Sequence, residues 1–204
     1  IVRVIATEPG VTLMPGEPIA FIEPAEVDGA QQAQAASVDP DHIRPDLAES
    51  LERHENTLDA RRPQAVAKRR ATGQRTAREN VAQLCDEGSF VEYGPLAIAA
   101  QRKRRSLEDL IANTPADGVI AGVGTVNAEA FGERGARCMV VAYDYTVLAG
   151  TQGQMNHKKQ DRMFGLAERW RVPLVLYAEG GGGRPGDTDR LGLTGLDGHT
   201  FAQF

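Results

Sequence analysis

The 204-residue chain carries 41% hydrophobic and 25% charged residues with 22 glycines and 11 prolines, the make-up of a turn-rich globular protein and not of a collagen or a disordered tail. No apolar run approaches the length that spans a bilayer and no apolar leader follows a basic N-terminus, so the sequence predicts a cytoplasmic protein with no membrane partner. The formal net charge of −5 is uneven, with twelve acids against three bases over residues 1–60 and eleven bases against four acids over 61–105; that basic stretch holds no aromatic residue before Phe90, which argues against a single-stranded nucleic-acid partner.

Residues 1–24 read as short strands with tight turns. Ile1 to Ile5 alternates apolar and polar residues, Glu8-Pro9-Gly10 and Met14-Pro15-Gly16-Glu17 turn, and Ile19 to Ile22 closes the unit. Such a piece is too small to stand alone. Residues 25–44 are poor in apolar mass and form a linker that cannot offset its ordering entropy. From residue 45 a larger domain begins. Pro45 and Asp46 open a helix with Leu47, Leu51 and Leu58 on one face and Glu49 placed to pair with Arg53.

Thr76 with Glu79 three residues on is a capping box, Ala77, Val81, Leu84 and Cys85 share the following helical face, and Gly88 supplies the stop. Phe90 to Tyr93, Asp117 to Val126 and Arg137 to Tyr143 read as strands. A loop from Asp144 to Gly153 leads to a helix over 154–170, with Met163, Leu166, Ala167 and Trp170 at helical spacing, and Pro173 to Ala178 is a buried strand. Strand, loop, helix and strand without a hairpin signal imply a parallel crossover and an α/β core. Cys85 and Cys138 lie far apart with no further ligand pair, so neither a zinc frame nor a disulfide scaffold is expected, and no other metal site.

Chemistry concentrates in the loop Glu179-Gly180-Gly181-Gly182-Gly183-Arg184-Pro185-Gly186. Four consecutive glycines after a buried strand sacrifice backbone entropy, so exposed amides or close approach are wanted there. Gly181, Gly183 and Gly186 fit a dinucleotide fingerprint, but Pro185, Asp187 and Asp189 stand where pyrophosphate should bind. Asp187 also replaces the lysine a P-loop needs. No serine elbow is present. Backbone amides remain, and paired N–H groups in such a loop can form an oxyanion hole for a thioester or an enolate.

The run Gly73 to Glu79 and Asp86 to Glu92, then Asp117-Gly118-Val119 to Gly124-Thr125-Val126, Asp144-Tyr145-Thr146-Val147 to Gly150, and Pro173-Leu174-Val175 into the glycine loop resembles the carboxyltransferase domain of biotin-dependent acyl-CoA carboxylases. The resemblance covers about residues 50–204. It implies a crotonase-like α/β spiral of stacked ββα turns, here an incomplete N-terminal part, in an obligate homo-oligomer, expected to be a hexamer, with active sites shared between neighbouring chains. Residues 1–23, with Met14-Pro15-Gly16 and Ile19 to Glu23, resemble the second half of an all-β biotinyl or lipoyl barrel. The biotin lysine would then fall shortly before Ile1, with ATP, Mg and bicarbonate serving a biotin carboxylase part outside this chain. The order of parts is that of single-chain acyl-CoA carboxylases, and the four-glycine loop is similar to the long-chain acyl-CoA type.

By that resemblance, carboxybiotin of the same or a neighbouring chain carboxylates the α-carbon of an acyl-CoA through an enolate held by the amides of Gly181 and Gly182. Ala149 and Gly150 are expected in an acyl-contact loop, Lys158 or Lys159 at CoA phosphates, and Arg184 either ordering the loop or facing the ligand. Three other classes remain open at this stage: a biotin-dependent decarboxylase, a crotonase-type hydratase or isomerase using Glu179, and a noncatalytic scaffold.

Overall fold

The computed structural model describes residues 2–8, 10–23, 39 and 41–189, and these divide into a small unit within residues 1–43 and a larger one from Arg44 onward. Most of the expected linker therefore lies outside the described residues. In the small unit, β1 (Val2–Ile5) pairs antiparallel with β2 (Ala20–Ile22), with a bulge between Val2 and Val4. Both expected turns close there by backbone bonds, Val11 N–H to the Glu8 carbonyl at 3.3 Å and Glu17 N–H to the Met14 carbonyl at 3.1 Å.

The larger unit is built on a four-stranded sheet in the order β3 (Val91–Glu92), β4 (Val119–Thr125), β5 (Arg137–Tyr143), β6 (Leu174–Tyr177). The first two pairings are antiparallel and β5 with β6 is parallel, as the crossover pattern demands. That crossover is α6 (Gln154–Trp170). The sheet is mixed because β4 returns to β5 through α5 (Ala128–Ala136), which the sequence pattern did not signal.

Period-two alternation splits the core between the two faces of the sheet. On one face Ile120, Cys138, Val140 and Ala142 pack under Ala77, Val81 and Cys85 of the α3 region, where α3 spans Ala77–Leu84. On the other, Val119, Ala121, Met139, Val141 and Tyr143 pack under Met163 and Ala167 of α6. Val119, Val140 and Val141 are fully buried, each such side chain contributing about 1.5–3 kcal/mol. Trp170, expected on the packing face of α6, is instead 47% exposed at the helix end.

The capping box forms as read: Thr76 Oγ1 accepts from the Glu79 N–H at 3.0 Å, and the Glu79 carboxylate accepts from the Thr76 N–H at 2.8 Å. The helix stops earlier than expected, because Cys85 is already extended, and Gly88 serves the next turn with φ +70°. The helix opened by Pro45 runs to Glu55 as α1. Leu47, Leu51 and Leu58 remain about half exposed, and Arg53 donates to the Leu96 carbonyl at 3.0 Å, not to Glu49. Two further α-helices among the described residues are α2 (Pro63–Ala71) and α4 (Leu107–Asn113). Among the described residues no helix is long and apolar enough to cross a membrane.

Part of the basic stretch is turned inward, while Arg61, Lys68, Arg70, Arg75, Arg102, Lys103 and Arg104 are exposed. Arg62 binds Asp144 at 2.9 Å, Arg69 binds Glu179, Arg78 binds Glu92 at 2.9 Å, and Arg105 binds Asp109 at 2.5 Å. Arg62 and Arg69 thereby tie α2 to the loops that leave the C-terminal ends of β5 and β6.

Candidate active site

Three loops converge beside the N-terminus of α6. The first is the turn Ala116, Asp117, Gly118 that enters β4, with φ of 55°, 49° and 71°; the second, after β5, is Leu148, Ala149, Gly150, with φ of 48°, 53° and 64°. Each non-glycine residue in this left-handed region costs roughly 1–2 kcal/mol, and such conformations persist only where the surroundings over-determine them. Here the Asp117 N–H is held by the Ala97 carbonyl at 3.1 Å and the Gly118 carbonyl by the Asp144 N–H at 2.9 Å.

The third is the glycine loop after β6, zipped to the second. Gly181 N–H donates to the Ala149 carbonyl at 3.2 Å, Gln152 N–H to the Gly182 carbonyl at 2.8 Å, and Arg184 N–H to the Gln152 carbonyl at 2.8 Å. Gly181, Gly182 and Gly183 are exposed. Gly182 has φ +79°, and a Cβ added there would meet nothing within 4 Å. Farther along, Thr188 and Asp189 N–H groups share the Ala100 carbonyl, and the Asp189 carboxylate accepts from the Arg102 and Lys103 N–H groups at 2.8 and 3.2 Å. Arg102 and Lys103 thus anchor the loop through their main chain.

Beneath the loop lies a cluster of buried charges. Arg184, its side chain 5% exposed, reaches Asp117 and the Thr151 carbonyl at 2.6 Å, with Asp187 at 3.5 Å. Asp117 Oδ2 accepts from the Asn156 N–H at 2.8 Å and Asp187 Oδ2 from the Gln154 N–H at 2.7 Å. Both carboxylates therefore complete the N-terminus of α6, where the helix dipole favours negative charge. Burial pushes the Asp117 carboxyl up from its ordinary range, while Arg184 and the Asn156 amide pull it back. Lys159 lies alongside with its ammonium on the carbonyls of Ala116 at 3.1 Å and Val119 at 2.5 Å, and burial pulls its pKa down to about 8.

The sequence-predicted residues divide accordingly. Gly181, Gly182, Ala149 and Gly150 do come together. The pair of amide donors is not equivalent, because Gly181 N–H is engaged with Ala149, whereas among the described residues no acceptor faces the Gly182 N–H. Lys158 is exposed. Lys159 is 3% exposed and its ammonium is held by main-chain carbonyls, so it is not a solvated group ready for phosphates. The Arg184 side chain is spent on Asp117, Thr151 and Asp187 within the three loops. Glu179 is paired with Arg69, whose guanidinium also lies 5.3 Å from the Tyr145 ring. Asp117, Thr151 and Gln152 were not foreseen as parts of the site; Asp187 and Asp189 drew notice as obstacles to phosphate.

The mixed sheet, the crossover helix and the glycine loop laid against a left-handed turn are the parts of a carboxyl transferase fold, and residues 68–200 match the carboxyl transferase domain family; the chain belongs to that family. Among curated relatives, the propionyl-CoA carboxylase beta chain of Saccharopolyspora erythraea is 37% identical over 139 residues, 68% of this chain and 23% of the relative. The methylmalonyl-CoA decarboxylase subunit alpha of Veillonella parvula is 31% identical over 123 residues, 58% of this chain and 21% of the relative. A solved single-chain, multi-domain long-chain acyl-CoA carboxylase is 64% identical with a TM-score of 0.74, over 79% of this chain and 16% of that one. The transcarboxylase 12S hexamer with methylmalonyl-coenzyme A bound is 27% identical with a TM-score of 0.53, over 70% of this chain and 25% of that one. The chain spans about a quarter of the length of the curated relatives it matches.

Proposed function

We propose that this chain supplies part of the acyl-CoA half of a carboxyltransferase site, in which a carboxylate passes between carboxybiotin and the α-carbon of an acyl-CoA. The observation that carries this reading is the exposed Gly182 N–H, without an acceptor among the described residues, in a loop pinned by its neighbours. As the α-proton leaves, negative charge gathers on the thioester oxygen, and a donor fixed in advance lowers that barrier by about 2.7–4 kcal/mol. Ala149, exposed on the left-handed turn beside it, offers the acyl group a wall of main chain, and exposed Lys158 remains available to a CoA phosphate. Carboxybiotin supplies the activated carboxylate. Residues 1–24 contain no lysine, so covalent attachment of biotin does not occur on that ribbon; the reading of residues 1–24 as half of a biotinyl barrel, 25–44 as a linker and 45–204 as the transferase part is compatible with this. ATP, Mg and bicarbonate belong to formation of carboxybiotin, and a hexamer like that of transcarboxylase 12S is the proposed assembly.

The direction proposed is carboxylation, since the identity to the long-chain acyl-CoA carboxylase is 64% against 31% to the decarboxylase subunit. The decisive assay is incorporation of radiolabelled bicarbonate by the full native polypeptide, charged with biotin, into acyl-CoAs of graded chain length. Label in the CoA ester is expected, strongest with long chains. Biotinylated, ATP-hydrolysing protein that labels no CoA ester would overturn the reading.

A further inference from the structure

Helix α6 begins at a glycine N-cap that has no side chain to offer, so its first N–H groups need partners from elsewhere. Asp187 and Asp117 provide them, from the loop after β6 and from the turn before β4. Two carboxylates brought this close repel each other, and both are almost wholly removed from water, with side-chain exposures of 3% and 0%. The Arg184 guanidinium lies between them. Its position also explains Gly153, because a Cβ there would stand 2.9 Å from Arg184 Cζ. The remaining guanidinium donors go to the second loop, Nη2 to the Thr151 carbonyl at 2.6 Å and Nε to Thr151 Oγ1 at 3.2 Å.

One side chain therefore joins all three loops, and it is attached two residues after Gly182. Gly181 to Gly183 have no side chains of their own, so among the described residues the direction of the Gly182 N–H is fixed by the main-chain bonds of the zipper and by this guanidinium. We infer that Arg184 and Asp117 form a positioning pair that sets the Gly182 N–H for the reacting thioester oxygen, without touching the substrate. A planar fork is required, since a lysine ammonium cannot reach Asp117 and both oxygens of Thr151 together. Lys159, on the Ala116 and Val119 carbonyls, braces the turn that carries Asp117. The inference rests on the proposed function for its catalytic consequence, and on geometry alone for its mechanical one.

Both consequences are measurable in the full native polypeptide, isolated as assembled oligomer. In Arg184→Lys and Asp117→Asn, peptides over 149–153 and 180–186 should exchange amide hydrogen about tenfold faster or more, with the β4 and β5 peptides unchanged. Turnover should fall about 100-fold while KM for acyl-CoA stays within about threefold, as expected when a catalytic donor is displaced by an ångström. In Arg184→Ala, millimolar guanidinium should restore both loop protection and turnover. If Arg184→Lys does not assemble, Asp187→Asn gives the same comparison through the other carboxylate. Unchanged loop exchange in the assembled variants overturns the positioning pair. So does a loss of turnover that only follows the folded fraction. Should the unmodified protein carboxylate no acyl-CoA, the proposed function fails, and loop exchange still decides whether the pair holds the loop.

Discussion

Gly150 and Gly180 meet backbone to backbone. A Cβ built on Gly150 would stand 2.9 Å from the Cα of Gly180, one on Gly180 would stand 3.0 Å from the Cα of Gly150, and each would come closer still to the carbonyl oxygen of the facing loop. Both positions therefore require glycine for proximity, and the contact lets the second and third loops share their hydrogen bonds. Gly180→Ala should pry them apart, with a stability loss of about 1–3 kcal/mol and a fall in turnover of about 100-fold from misplacement of the Gly182 amide. Gly135→Ala, whose Cβ would lie an ordinary 3.7 Å from Phe131, is the control and should leave activity intact. Thermal unfolding and steady-state carboxylation on the same preparations check both. A Gly180→Ala enzyme with normal turnover would show that the zipper does not govern the site.

How much of this was legible in the sequence depends on range. The capping box at Thr76, the helix over 154–170 and the strands on either side of it are local patterns, and they stand where periodicity places them, although β6 is half-buried and not the buried strand expected. Gly180 to Gly183 announced exposed or closely approached main chain, which the contact with Gly150 bears out. What the sequence did not carry is the sharing of buried charge across distance. Arg184 and Asp117 are 67 positions apart and Arg69 and Glu179 are 110 apart, so nothing in local composition marks either pair. Within the basic stretch, composition does not tell Arg62, Arg69 and Arg78, which are paired with distant carboxylates, from the bases that stay exposed. Lys159 was expected beside Lys158 at CoA phosphates, lysines being mostly exposed, and its burial against the turn before β4 is a tertiary contact that local sequence does not mark.

Glu179 tests the hydratase or isomerase alternative. Its carboxylate is held by Arg69, whose Nε also donates to the Arg75 carbonyl at 2.9 Å. Glu179→Gln keeps the shape but leaves a guanidinium that is only 7% exposed short of its partner. Stability should fall by about 1–3 kcal/mol, tempered by the partial exposure of Glu179. Turnover should fall less than about tenfold, because an ion-paired carboxylate at the loop's base is not the proton carrier; loss of an acid/base group would cost roughly 100-fold to 10,000-fold. Denaturant unfolding and turnover measured side by side separate the two cases. A well-folded, inactive Glu179→Gln enzyme would restore the acid/base role.

Lys159 gives the fold a pH dependence whose sign is fixed by its surroundings. Burial lowers its pKa from the ordinary 10.5 to about 8, with Glu92 and Asp117 opposing that fall. Between those values the unfolded chain still binds the proton that the folded chain has released, so stability rises with pH across this window and the contribution levels off above it. The full change is about 3 kcal/mol. Lys159→Met should abolish this slope, because it fills the same space along α6 without a titrating group. It should also leave the Ala116 and Val119 carbonyls without the ammonium, loosening the turn that carries Asp117. Denaturant unfolding of both proteins from pH 7 to 11 is the check, since every other titration cancels in the difference. The unmodified protein should gain stability relative to Lys159→Met from pH 8 upward. A difference that stays flat across that range would mean that the Lys159 ammonium is as well solvated in the folded chain as in the unfolded one, and would remove it as the brace of the turn.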